Sequence, residues 1–413
     1  MMDRSFVWPD GHWDWPEHLA YQHGVRAGEM IFVGGQVDKD AAGERLNPYD
    51  LAAQTATVVG HIDTVLKGFG AGLAAVTKLV AFYVNDGSVD EHAFLADVGR
   101  HVIALGGAPG GVGPAITAVP LPWLAYPEML VEIEAIAMLG ADGAALERSA
   151  ANPSILAPLP APFSQGLRCG EHIWVSGQSA RTPSGDIEDA GDILAQTKLA
   201  MAGITRVLDE FGADFDDAIK FNIWFNGDGT RATWQDAAVL RASHFTEPGP
   251  GATALPTPNL PAGEMTRMEL WAMRGVDGAY IPREYAWPEG SWDWPVPMPY
   301  KMGVKCRDIV VVGGQVALDR HGAVLSPGDL VAQTKRTMEY IGAVLAEFGL
   351  GFDDMVKQNG FYAGTAGREV IVPVQVQRSS YYTEPAGAAT GVPLPYLALE
   401  GLMTEIEIIA MTR

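Results

Sequence analysis

The segment 131-VEIEAIAM-138 sets two carboxylates two residues apart, and 404-TEIEIIAM-411 repeats the arrangement near the end of the chain. Alternation along a β-strand puts Glu132 and Glu134 on one face and Val131, Ile133 and Ala135 on the other. Neighbouring carboxylates raise one another's pKa and favour a neutral, proton-donating form, the kind of group that moves protons during hydrolysis. The plainer alternative is a strand end whose acids face solvent or a nearby cation. A third version, 266-TRMELWAM-273, carries Arg267 where the others carry Glu132 and Glu405. Arginine has donors only and cannot serve as a general base. It is either a cation for an anionic substrate, a tether to an acid of another copy, or a surface arginine without a partner. In every case the three sites differ.

Other residue types add to the candidates. In 220-KFNIWFN-226 and 357-KQNGFYA-363, Asn222 and Asn359 stand where 78-KLVAFYV-84 has Val80. An amide there either holds a substrate carbonyl, orients water, or makes a ladder contact. The stretches 8-WPDGHWDWP-16 and 287-WPEGSWDWP-295 contribute Trp8, Trp13, Trp15, Trp287, Trp292 and Trp294. These tryptophans wall a pocket or form a packed edge or oligomer interface. Trp123 and Tyr396 each follow Val-Pro-Leu-Pro and are weaker candidates for the same wall. The nine histidines show no H-x-H or HExxH spacing, so neither a metal nor another cofactor is expected. Gly106, Gly107, Gly110 and Gly111 do not open a helix after a strand in the phosphate-loop manner. Cys169 and Cys306 occupy one aligned position at the head of a strand and read as small core residues.

The elements that position these residues recur three times. 31-IFVGGQVD-38 returns as 173-IWVSGQSA-180 and 310-VVVGGQVA-317, and 50-DLAAQT-55 returns as 192-DILAQT-197 and 329-DLVAQT-334. The offsets are 142 residues (Gly35 to Gly177) and 137 (Gly177 to Gly314), and the aspartates and the strand lysines keep them. Constant offsets at three landmarks define tandem copies of one domain: residues 1–147, 148–284 and 285–413, the second with a degenerate site. Each copy reads as β-β-α-β-α-β-β, an α+β unit with a helix-covered sheet. In the first copy the helical spacing runs from Leu51 to Phe69 with Gly70 as C-cap, and a second helix covers Val89 to Leu105.

Composition narrows the partners. With 28 basic against 50 acidic residues the formal net charge is −22, which repels phosphate backbones and excludes nucleic acid. The start has no apolar signal region, and no run approaches the ~18 apolar residues of a membrane-spanning helix. Two cysteines suit a reducing compartment. The expectation is a cytoplasmic protein with a small-molecule substrate and no membrane partner.

The G-Q after an early strand, the D-L-x-x-Q-T helix start and the V-E-I-E-A-I-A last strand resemble the Rid family (also called YjgF/YER057c/UK114), whose founding members are enamine/imine deaminases. The resemblance covers most of the chain. It implies chorismate-mutase-like subunits that form homotrimers with clefts at their interfaces. Three copies in one chain then form a single-chain pseudo-trimer, sheets inside and helices outside, a self-contained ring or a dimer of such rings. The family gives proton shuttling to the first acid of V-E-I-E, matched by Glu132 and Glu405. Binding candidates under this resemblance are Asn222, Asn359, Arg267, Gln36, Gln315, Thr390, Trp123 and Tyr396. Family deaminases grip a 2-imino acid with an arginine after Pro-Ala, but here that place holds Ile116, Ala252 and Ala389. The resemblance is therefore to arginine-less branches, for which ordinary 2-imino acids are not expected substrates. The expected function is hydrolysis of an enamine, imine or related C–N bond of a conjugated small molecule. Its rival is a non-catalytic ligand- or client-binding ring. Ribonuclease activity, known among relatives, sits badly with the charge.

Overall fold

The computed structural model describes residues 4–15, 17–294 and 296–412. The first copy comprises β1 (Arg4–Val7), β2 (Gly24–Ala27), β3 (Met30–Val37), α1 (Leu51–Lys67), β4 (Val76–Val84), α2 (Glu91–Ala104), β5 (Ala115–Leu121) and β6 (Val131–Met138). The second comprises β7 (Arg148–Ala151), β8 (Gly166–Cys169), β9 (His172–Gln178), α3 (Ile193–Glu210), β10 (Ala218–Phe225), α4 (Gln235–Ala242), β11 (Gly251–Pro256) and β12 (Thr266–Met273). The third comprises β13 (Arg283–Ala286), β14 (Gly303–Cys306), β15 (Ile309–Val316), α5 (Leu330–Glu347), β16 (Met355–Ala363), α6 (Arg368–Ser379), β17 (Ala388–Leu394) and β18 (Thr404–Met411). Each copy thus gains a leading strand that the sequence pattern did not reveal. That strand pairs only with the hairpin's first strand at the sheet edge, as β1 does with β2. Because the third sheet begins at Arg283, a joint at 284/285 falls inside β13.

Every sheet has six strands in the same order, β1-β2-β3-β6-β4-β5 in the first copy. All pairings are antiparallel except those of β4 with β5, β10 with β11 and β16 with β17. A parallel pair needs a crossover, and α2, α4 and α6 supply it. The long helices cover the outer face of each sheet. Val58, Val59, Ile62, Val65 and Leu66 of α1 are buried, while Ala52, Thr64 and Lys67 are exposed. The capping aspartates Asp50, Asp192 and Asp329 accept backbone N–H groups of the first turns, satisfying donors that a helix start leaves open. The helix ends at Lys67 with Gly68 at the cap, two residues before Gly70. The glutamine of D-L-x-x-Q-T is a clamp. Gln54 Nε2 donates to the carbonyls of Asn47 and Glu128, and its Oε1 accepts Leu130 N–H, each at 2.8 Å. It thereby fixes the loop that leads into β6.

The inner faces of the three sheets meet on a common axis. Phe32, Trp174 and Val311, one from each copy, lie in one buried cluster. Beside it the second acids of the last strands pair with lysines of neighbouring copies in a cycle. Lys78 meets Glu269 at 2.5 Å, Lys220 meets Glu407 at 2.9 Å and Lys357 meets Glu134 at 2.7 Å. One polypeptide closes a ring of three, sheets inside and helices outside.

Candidate active site

The G-G-Q motif explains how the clefts between copies are built. Where β3 pairs with β6 the register shifts between Val33 and Gln36, and the same shift recurs between Val312 and Gln315. Bulges of this kind re-aim side chains and cluster at active sites. A methyl on Gly34 would stand 2.7 Å from the Ala389 carbonyl of the third copy, and one on Gly313 would stand 2.7 Å from the Ala252 nitrogen of the second. The next glycine makes room for the acid. A Cβ on Gly35 would lie 1.9 Å from Glu132 Oε1, and one on Gly314 would lie 2.0 Å from Glu405 Oε1. The first glycine admits the neighbouring copy's backbone and the second admits a folded-back carboxyl.

Glu132 and Glu405 are consequently buried, at 6% and 1% exposure. Burial, with Glu134 adding to it, pushes the Glu132 carboxyl up to about 8. Burial does the same for Glu405, also to about 8, although Ala254 N–H donates to its Oε1 at 3.4 Å. The paired acids thus diverge. Burial would also raise Glu134, but Lys357 and hydrogen bonds from Thr390 and Asn359 overcome it and leave that carboxyl below the ordinary range. In the first copy Glu134 is therefore a structural anion on the axis while Glu132 is a neutral acid in a cleft; Glu407 takes the same place on the axis, beside Lys220.

The tryptophan prefaces wall these two clefts. Trp13 and Trp15 line the Glu132 cleft together with Tyr21, Ala389 and Thr390. Trp292 and Trp294 line the corresponding pocket at Gly314, with Ala252 and Tyr300. Gln36 and Gln315 hold the walls in place: Trp13 Nε1 donates to Gln36 Oε1 at 3.3 Å, and Trp292 Nε1 donates to Gln315 Oε1 at 3.0 Å. Gln36 Oε1 also lies 2.8 Å from His12 Nε2. His12, His23 and His61 pack edge to face behind Trp13, a cluster the sequence reading did not single out. Burial holds His23 down to about 3 and His61 down to about 4, so the cluster is uncharged at neutral pH.

Several expected ligands of substrate have other work. Asn222 and Asn359 face the axis. Asn359 Nδ2 donates to Glu134 and Glu407, both at 3.1 Å, and Asn222 Nδ2 donates to Glu407 at 3.2 Å. An alternating strand puts them on the same face as the lysine two residues earlier, and that face meets the lysine–glutamate cycle. Thr390 Oγ1 donates to Glu134 Oε2 at 2.6 Å and accepts Gly35 N–H at 2.9 Å, so it fastens two copies at the cleft edge. Trp123 and Tyr396 are tethers between copies. Trp123 Nε1 donates to the Gly364 carbonyl at 2.8 Å, and Tyr396 Oη donates to that of Gly227.

Arg267 is fully occupied. Its Nη1 and Nη2 grip Glu91 of the first copy at 2.7 and 2.9 Å. Nε and Nη2 grip Glu264 at 2.8 and 2.9 Å, and Nη1 also reaches the Ala118 carbonyl at 2.7 Å. These contacts use the five N–H donors of a guanidinium. Burial disfavours its charge, but the two carboxylates overcome this and hold its pKa well above the ordinary value. Of the three readings the sequence left open, the tether to another copy is the one realised. The cleft beside it is wide, about 610 Å³, and contains Ile116 but no counterpart of the buried acid. Ile116, Ala252 and Ala389, the positions where the resemblance would put an arginine, each line their own cleft.

Sequence reading missed Arg241 and Arg378. They lie on α4 and α6 at the same 137-residue offset as the other landmarks, and Gly99 holds that place in the first copy. That spacing was the available signal. Arg378 lines the Glu132 cleft and Arg241 lines the pocket of Ala252, Ala254 and Tyr300.

Three like α+β copies closed into one ring define a class of protein, and the family to which the chain belongs follows from its sequence. The family described as Endoribonuclease L-PSP matches residues 16–139, 155–273 and 295–412, and the chain belongs to it. A RutC family protein of Pyrococcus abyssi is 29% identical over 119 residues, 29% of this chain and 91% of that protein. The 3-aminoacrylate deaminase RutC of Acinetobacter baylyi is 36% identical over 98 residues, 24% of this chain and 75% of that one. The crystal structure of a chorismatase superposes with a TM-score of 0.51 at 13% identity, covering 82% of this chain and 93% of that one. This last likeness concerns the fold alone.

Proposed function

We propose that the protein is a hydrolase of the deaminase type that opens the C–N bond of an imine or enamine in two of its three clefts. The observation that carries this reading is the pair Glu132 and Glu405. Each is a buried carboxyl with a pKa of about 8; Glu132 lines the cleft walled by Trp13 and Trp15, and Glu405 lies against Gly314, which lines the pocket walled by Trp292 and Trp294. A group that is neutral at pH 7 and titrates nearby is suited to both giving and taking a proton. It donates to the imine nitrogen as water adds to the carbon. It then recovers a proton as the carbinolamine expels ammonia, so that C=NH and water become C=O and NH₃. For an enamine the same group instead protonates the β-carbon, which gives the iminium that water then attacks. Relatives described as 3-aminoacrylate deaminase and as 2-iminobutanoate/2-iminopropanoate deaminase support this reaction class.

The test is ammonia release from a panel of enamines and imines by the protein and by the Glu132→Gln/Glu405→Gln variant. Glutamine keeps the shape and removes the titrating proton. Turnover should drop by roughly a hundredfold or more in the variant, the usual worth of general acid–base catalysis. Undiminished turnover with an unchanged melting curve would sink the mechanism.

A further inference from the structure

We propose that Arg378, and Arg241 by repetition, are the anion-binding residues of the two acid-bearing clefts and select small substrates that carry a carboxylate. Arg378 is 6% exposed and Arg241 is 4% exposed. Arg378 Nε and Nη1 have no hydrogen-bond partner among the described residues, and Arg241 Nε has none either, the Tyr300 phenol being that guanidinium's polar neighbour. Burying a guanidinium without a counter-charge is costly. A cleft that nevertheless presents one to its ligand is built to receive an anion, and the planar fork matches a carboxylate through two parallel hydrogen bonds.

The surrounding backbone is shaped for this cation. A methyl on Gly360 of β16 would lie 1.6 Å from Arg378 Nη1, and one on Gly391 of β17 would lie 3.5 Å from Nη2. The Tyr362 phenol, also buried and unpartnered among the described residues, feels the charges of both Glu132 and Arg378. It therefore lies close to the acid and the cation alike. Comparison of the copies gives a second line of support. In the cleft where Arg267 replaces the acid, the helix position is Gly99, and any Cβ there would meet the Ala161 carbonyl at 2.2 Å. Acid and helix arginine are present together twice and missing together once.

Ala389 and Ala252 line the same pockets, so the cation reaches them from the crossover helix instead of from the strand. The space beside Glu132 is about 60 Å³, room for roughly four water molecules, which favours a short-chain acid over a bulky ring. This proposal deepens the deaminase reading but is tested by binding, so the two can fail separately.

Propionate and its neutral isostere propionamide are the probes, titrated by calorimetry and by thermal shift at fixed ionic strength. Wild-type protein should bind propionate and be stabilised by it, with propionamide at least tenfold weaker. Arg378→Gln/Arg241→Gln should lose the preference by roughly tenfold to a hundredfold, the worth of a charged hydrogen-bond pair. Arg378→Lys/Arg241→Lys should restore part of it, and Glu132→Gln/Glu405→Gln should keep it whether or not that variant is active. Equal binding of the two probes by the wild type overturns the proposal without any variant, and so does a propionate preference that survives in a folded arginine double variant.

Discussion

At the scale of single residues, the buried carboxyls make stability depend on pH in an unusual direction. Glu132 and Glu405 titrate at about 8 in the folded chain against 4.5 for the unperturbed group. Between those values the native state holds protons that the unfolded chain has released. Stability from these two groups is therefore complete below about pH 4.5 and lost as pH rises through 8. The Glu132→Gln/Glu405→Gln variant should gain melting temperature over wild type progressively from pH 5 to pH 8 and stay level above that, as pH-resolved thermal melts will read. If the acid form is what reacts, wild-type turnover should fall over the same upper limb. Arg267 gives the opposite kind of prediction. Arg267→Gln leaves Glu91 and Glu264 with only the longer contacts of Arg181, at 4.0 and 3.5 Å, and breaking a buried ion pair costs about 3 kcal/mol or more. A clear drop in melting temperature is expected, with the rate constant of the remaining clefts nearly unchanged.

At the scale of elements, the bulged G-G-Q strand links fold to chemistry. Its first glycine lets one copy's backbone approach the next, and its second leaves the volume that the acid fills. Gly314→Ala therefore drives a methyl into Glu405 Oε1, a clash relieved only by moving the carboxyl. This substitution should reduce turnover in the Glu405 cleft by about tenfold or more while leaving the Glu132 cleft active, because a small displacement of a catalytic group is costly. It is best measured in a Glu132→Gln background, where only one cleft contributes. In the middle copy a Cβ on Gly177 would stand 3.0 Å from Thr117 Cγ2 and 3.1 Å from Arg267 Cδ, so there the same bulge makes room for the tether. The tryptophan preface follows the acid: copies one and three have both, and copy two has neither.

At the scale of the whole molecule, fusing three copies allows the interfaces to diverge, which three identical subunits cannot do. One interface is a salt-bridged joint around Arg267, while the other two carry a buried acid and an aromatic wall. The lysine–glutamate cycle on the axis takes one partner from each neighbouring copy, so the ring is complete within one chain. Light scattering should give a mass near the 44.1 kDa of one chain, or twice that if two rings pair. A stable assembly of three chains would contradict closure of the ring by a single polypeptide.

The sequence by itself determined the three copies, their element order after the leading strand, and the pairing of Glu132 with Glu134 and of Glu405 with Glu407 on one strand face, because these rest on period and on local pattern. Constant offsets need no tertiary knowledge, and alternation along β6 and β18 places both acids of each pair on one face. Tertiary structure decided everything that depends on which copy faces which. It sent Asn222 and Asn359 to the axis, turned Trp123 and Tyr396 into tethers and filled Arg267 with carboxylates from two elements. It also brought Arg378 from the third copy's helix to the acid of the first, 246 residues away in the chain. Such contacts cross between domains, and no local periodicity encodes them. The split in proton affinity between Glu132 and Glu134 has the same origin, since the lysine that separates them, Lys357, belongs to another copy.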